Sequence, residues 1–249
     1  MDTPGRLIIT GPGHSGTNLV LEAVRMAGEH SFFPDDGIHT EDREIVSRMR
    51  SKEGLPKNYA TKLATENTMI SENFFTEVMD KYPDMQIVFC IRNPIDVALA
   101  RIFKFKGKEP YDAKGNIKQL NFASDILEFL NKKYPTRTMV FYMPEYLEND
   151  VRPFALQELC HFLAIPYIEQ MTNAHKLIRI KEKQIKYKGE IDPRQKDLLK
   201  YRKELFNDFW EKEPFKGMLE EVITYFDGGN FKVWENKRTY PYWLVLMEI

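Results

Sequence analysis

A chain of 249 residues, 43% apolar and 29% charged, is long enough to bury a core of its own and has the balance of a folded globular protein. The formal net charge of −1 argues against general affinity for nucleic acid or an anionic membrane, so any anion site must be local. The two cysteines, Cys90 and Cys160, form no CxxC pair or other metal-type spacing and read as buried free thiols. They fit a reducing compartment, here the cytoplasm. No basic segment followed by a long apolar run stands at the start, and 240–247 is too short to span a bilayer and contains Pro241, so neither signal peptide nor transmembrane segment is expected.

In chain order, 6–10 is a short apolar strand and a Gly-rich turn follows it. Residues 17–27 carry Leu19, Val20, Ala23, Val24 and Ala27 at helical spacing, and Gly28 stops the helix. Residues 31–40 are polar and irregular, 41–50 a solvent-facing helix, and 58–64 a second strand. A helix over 67–82 ends at Pro83 and Asp84. The run 86–92 is apolar without alternation, as in a strand buried on both faces, and Asn93-Pro94 opens the next helix. A loop is expected over 106–119, a helix over 120–134 and a strand over 138–142. The helix over 149–163 has Val151, Phe154, Leu156, Leu159 and Phe162 as its core residues. Strands alternating with helices imply an α/β fold with a parallel sheet. The last third is less regular, with a basic run over 176–188, charged helices over 193–210 and 216–226, and an aromatic tail containing Trp234, Tyr240, Tyr242 and Trp243. The chain reads as a single domain, 1–249, with a core over 6–166 and a helical, basic extension over 167–249.

The segment Gly11-Pro12-Gly13-His14-Ser15-Gly16-Thr17-Asn18 lies between the first strand and the first helix. Such a turn aims backbone N–H groups at one point, and the helix N-terminus adds partial positive charge, which together suit a phosphate. Gly11, Gly13 and Gly16 permit the turn, and Ser15 and Thr17 bring hydroxyls. The spacing resembles a P-loop, G-x-x-x-x-G-K-[ST], with Thr17 and Asn18 in the places of the Lys and the Ser/Thr. That substitution argues against an ordinary ATPase or kinase.

Three segments together resemble the PAPS-dependent sulfotransferase family (PAPS being 3′-phosphoadenosine 5′-phosphosulfate). They are Ile9 to Asn18, similar to the family's 5′-phosphosulfate loop; Ile87 to Ala98, similar to its 3′-phosphate segment; and Val140 to Leu147 with the helix running to Pro166. The resemblance implies a three-layer parallel sheet flanked by helices, in the P-loop NTPase-like sulfotransferase architecture. It also implies transfer of a sulfuryl group from PAPS to a hydroxyl or amine of a small-molecule or glycan acceptor, by in-line displacement and with adenosine 3′,5′-bisphosphate as product. No metal ligand set is visible in the sequence and the resemblance implies none. It gives no acceptor identity and no oligomeric state.

By the same resemblance, Gly11, Gly13, His14, Ser15, Gly16, Thr17 and Asn18 hold the phosphosulfate end. Arg92 holds the 3′-phosphate, and Lys62 reaches the transferring sulfuryl group. His14 stands where the family usually has Lys or Arg. Ala100 stands where it usually has a second 3′-phosphate ligand, a Ser. A general base must lie within reach of the acceptor proton. The resemblance implies a Glu, Asp or His about two dozen residues after the loop; Asp36 is preferred there, then Asp35, then His39, in a segment that also reads as a plain turn. The other reading of Arg92 is a surface salt bridge with Asp96 or a loop acid. Two rival functions stand beside sulfuryl transfer: a nucleotide or small-molecule kinase, and a non-catalytic binding protein on a degenerate sulfotransferase fold.

Overall fold

The structure is a computed structural model that describes residues 5–32, 42–67, 69–143, 150–174, 209 and 212–227. Its chain falls into two compact units, Met1–Ile91 with Asp125–Arg179, and Arg92–Ser124 with Ile180–Ile249.

The first unit is built on strands β1 (Leu7–Gly11), β2 (Ser31–Phe32), β3 (Tyr59–Ala64), β4 (Gln86–Ile91) and β5 (Thr138–Tyr142). Among the described residues these form one sheet in the order β2-β3-β1-β4-β5, every neighbouring pair parallel. Its helices are α1 (Thr17–Ala27), α2 (Asp42–Arg50), α3 (Glu72–Lys81) and α6 (Arg152–Leu163). β1 is central: the chain leaves it for β2 and β3 on one side and crosses to β4 on the other. In an open parallel sheet that reversal opens a crevice at the carboxyl end of the strand, where ligands bind. The segment 11–18 occupies that end.

Strand alternation explains the core. Leu7 and Ile9 share a face with Ala60, Val88, Cys90 and Phe141, and that face packs with Val20, Ala23 and Val24 of α1 and Leu156, Leu159 and Leu163 of α6. Ile8, Thr10, Leu63, Ile87 and Phe89 point the other way and are just as buried, so both faces of the sheet are covered. This is the parallel α/β fold expected from the sequence. α1 ends as expected at Gly28, whose φ of 75° is left-handed and whose N–H returns to the Arg25 carbonyl.

Several boundaries differ from the sequence reading. Residues expected to be irregular include β2, a two-residue edge strand held by the Ser31 N–H on the Asn58 carbonyl at 2.9 Å. α3 starts at Glu72 rather than 67, because Ser71 caps it by accepting the Phe74 N–H at 3.2 Å. Part of the loop expected over 106–119 is helical: α5 (Ala113–Lys133) runs from the second unit into the first. Its start is fixed by Asp112, whose Oδ1 accepts the Gly115 N–H at 2.8 Å. In α6, Phe154 is 65% exposed rather than core. The buried stripe is Ala155, Leu156, Leu159, Cys160 and Leu163, and Phe154 lies off it.

The second unit contains α4 (Pro94–Phe105), the first half of α5 and α7 (Phe215–Asp227). Phe209 stacks on Phe215 with centroids 3.9 Å apart and meets Phe103 edge-on at 5.0 Å. Asn121 donates to the Tyr225 hydroxyl at 2.6 Å. Buried Arg101 donates to Gln119 Oε1 at 2.5 Å and lies 5.5 Å from the Tyr111 ring.

His30, between α1 and β2, is buried. Burial lowers its pKa from the usual 6.5, and a backbone hydrogen bond with Gly5 offsets this in part. The unfolded chain therefore takes up a proton near 6.5 that the folded chain accepts only at lower pH. The contribution of neutral His30 to stability is complete above that value and declines as pH falls below it. Urea unfolding at pH 7.5 and pH 5.5 should give a lower midpoint at the acid value, and His30→Gln should reduce the difference. An unchanged difference in that variant would show that His30 is not responsible.

Candidate active site

The turn after β1 is shaped by residues that few alternatives could replace. Gly11 has φ 137°, and a Cβ there would lie 2.3 Å from the Cys90 carbonyl oxygen and 2.9 Å from Ser15 Oγ. The Ser15 N–H donates to the Pro12 carbonyl at 3.0 Å and closes the turn. Gly16 has φ 97°, and its absent Cβ would lie 2.3 Å from Met143 Sδ. Gly13 is not left-handed; that conformation falls on His14, at φ 68°. A left-handed non-glycine is uncommon, though histidine tolerates it better than most.

α1 begins at this turn without a side-chain cap and without an acid in its first turn. Among the described residues, the N–H groups of Gly16, Thr17 and Asn18 meet no backbone carbonyl. Ser15 is fully buried and its Oγ has no hydrogen-bond partner among the described residues. Open N–H donors at a helix start and a buried hydroxyl without a partner are a fit for an anionic oxygen.

β3 serves this turn from the side. Lys62 lies in the strand, opposite Ile9, on the face that α1 covers, and its Nζ donates to Asn18 Oδ1. Just beyond the strand, the Thr65 N–H donates to the Gly11 carbonyl at 3.1 Å. Glu66 Oε1 then accepts the Gly13 N–H at 2.7 Å. A cation and a carboxylate therefore reach the turn from one strand and the residues after it.

The sequence-predicted residues divide accordingly. The structure brings Gly11, Gly13, His14, Ser15, Gly16, Thr17 and Asn18 together with Lys62. Asp35, Asp36 and His39 lie outside the described residues, as do the basic run over 176–188 and the aromatic tail. Arg92 directly follows β4 and opens the second unit. Its Nε lies 3.7 Å from Oδ2 of Asp96, whose side chain is 1% exposed against 18% for Arg92. The salt bridge read as the alternative for Arg92 is thus present, and it leaves the arginine side chain partly open to solvent. Asn93 caps α4 by accepting the Ile95 N–H at 2.9 Å, with Pro94 in the first turn. Ala100 lies on α4, half-buried, and its methyl supplies no donor.

Glu66 was missed by the sequence reading. The available signal was an acid four residues after Lys62, at the end of a strand expected to lie near the loop.

Both cysteines are buried and free, and burial raises both thiols, that of Cys160 to about 11. Neither is an activated nucleophile. Among the described residues, no group of three or more His, Cys, Asp or Glu could hold a metal ion, and no helix is long and apolar enough to cross a membrane.

Among solved structures, the chain is similar to a sulfotransferase from Alicyclobacillus acidocaldarius at 12% identity, with 90% of this chain and 96% of that one covered and a TM-score of 0.49. It is similar to the sulfotransferase domain from the curacin biosynthetic pathway at 14% identity, with 70% and 79% covered and a TM-score of 0.48. It is also similar to a mouse sulfotransferase, SULT7A1, complexed with PAP, at 15% identity, with 72% and 64% covered and a TM-score of 0.42. No curated protein matches the chain. The family profile described as Sulfotransferase domain matches residues 4–228, most of the sequence. The chain belongs to the sulfotransferase domain family.

Proposed function

We propose that this sulfotransferase uses PAPS as its donor and a hydroxyl or amine of a small molecule or glycan as its acceptor, and that residues 1–249 act as one sulfotransferase-like domain. The observation that carries the reading is the turn over 11–18: N–H donors at the start of α1 and a buried Ser15 hydroxyl that meet no partner among the described residues, and Lys62 held on Asn18. PAPS, when bound, supplies the sulfuryl group and leaves as adenosine 3′,5′-bisphosphate.

In this reading the first-turn N–H groups and the Ser15 and Thr17 hydroxyls hold the phosphosulfate end. Lys62 supplies positive charge at the oxygens where negative charge grows during transfer. His14 adds a donor there. Arg92 binds the 3′-phosphate through its forked donors, steadied by the Asp96 carboxylate. Asp36, with Asp35 and His39 as the other candidates, takes the acceptor proton as the new bond to sulfur forms and the bond to the leaving oxygen breaks. Catalysis is then mainly positioning and electrostatic stabilisation. The kinase reading is disfavoured by Thr17 and Asn18 in the places where a triphosphate loop needs its Lys and its Mg²⁺-holding hydroxyl.

Calorimetry with adenosine 3′,5′-bisphosphate and with ATP tests the donor. The bisphosphate should bind and ATP should bind far more weakly. Arg92→Ala should weaken the bisphosphate by about ten- to hundredfold, the scale of a hydrogen bond to a charged group. Preference for ATP would favour the kinase reading, and uptake of neither ligand would favour a degenerate scaffold. Turnover of labelled PAPS then establishes transfer.

A further inference from the structure

Thr65 and Glu66, consecutive residues just beyond β3, grip the turn on either side of Pro12. The Thr65 N–H donates to the Gly11 carbonyl at 3.1 Å, and Glu66 Oε1 accepts the Gly13 N–H at 2.7 Å. The second distance lies in the range of a charge-assisted bond. The next residue is His14, held left-handed at φ 68°. Such a backbone persists in a non-glycine residue only where its surroundings impose it. The bond to Gly13 holds the Pro12–Gly13 peptide just ahead of this conformation, and the Ser15 N–H on the Pro12 carbonyl ties that same peptide to the one that leaves it.

We infer that Glu66 is a positioning residue for the anion-binding turn: its carboxylate orients the Pro12–Gly13 peptide and so presets the donors that follow. The inference rests on the sulfuryl-donor reading for the identity of the ligand. Glu66 has the same charge sign as a phosphosulfate. If it merely occupied the turn, it would weaken anion binding by repulsion, and its removal would tighten binding. If it braces the turn, its removal adds an ordering cost to binding and weakens it. The two possibilities predict opposite signs for one substitution.

Glu66→Ala and Glu66→Gln separate them, because glutamine retains an acceptor oxygen and loses the charge. Binding of adenosine 3′,5′-bisphosphate is followed by calorimetry, and exchange of the Gly13 amide by NMR, with β1 amides reporting the rest of the fold. Glu66→Ala should weaken the bisphosphate by about tenfold or more. It should also release the Gly13 amide to rapid exchange while β1 stays protected. Glu66→Gln should retain both properties. Equal or tighter binding by the alanine variant, an unchanged Gly13 exchange rate, or a glutamine variant as impaired as alanine overturns the inference. So does loss of β1 protection together with that of Gly13, which would make the bond part of the fold at large. If the unmodified protein takes up no bisphosphate, the donor reading fails, and the exchange data still decide the role of Glu66.

Discussion

Gly11→Ala should destabilise the protein by about 3 kcal/mol or more and abolish nucleotide binding. Two costs combine. The backbone sits at φ 137°, which L-residues rarely adopt, and the new methyl would meet the Cys90 carbonyl oxygen at 2.3 Å. That oxygen belongs to β4, the parallel neighbour of β1, so it can retreat only by parting two central strands. Gly13→Ala is the control. Its φ is not positive, and its Cβ would meet the nearest Glu66 oxygens at 3.5 Å, an ordinary contact. Urea unfolding of the two variants side by side checks the claim. Equal stability would mean that the turn yields more readily than its contacts imply.

Lys62→Ala should leave the fold intact and lower turnover of labelled PAPS by about 10²–10³-fold, the usual consequence of deleting one group that stabilises transition-state charge. Lys62 is half-buried within β3, and its Nζ is already turned to Asn18 at the start of α1. The fall should appear mainly in kcat, because on the proposed reading its charge matters most as charge builds on the leaving oxygen. A variant that turns over at the original rate would remove Lys62 from the catalytic set, and a pure rise in KM would assign it to ground-state binding.

Local pattern carried the elements that packing then confirmed. The 3.6-residue period of α1 and its glycine stop, and the unbroken apolar run of β4, are short-range signals, and both strand and helix are where they point. The start of α5 is not legible in the sequence because a glycine, Gly115, lies in its first turn, whereas Asp112 fixes a helix through that glycine. Phe154 is apolar, yet its angular position on α6 leaves it in solvent. Most of the phosphate-type turn was legible because its residues are contiguous. Glu66 was not, because its place at Gly13 depends on the register that sets Gly11 beside Ala64, a contact between segments over fifty residues apart in sequence. The base candidates Asp35, Asp36 and His39 lie outside the described residues and rest on sequence alone.

The β1–β3 pairing also constrains how the sequence of this chain can drift. Lys62 shares a face with Ile9 because Leu7 pairs with Ala60, and side chains alternate strictly along a strand. A one-residue deletion in β3 ahead of Lys62 would turn the lysine to the opposite face, with Thr10 and Leu63, and pull Thr65 and Glu66 one step back from the turn. Point changes at Ala60 or Thr61 alter packing alone, whereas a single lost codon there would separate the lysine and the brace from their targets together. Length, more than composition, is what this strand has to conserve.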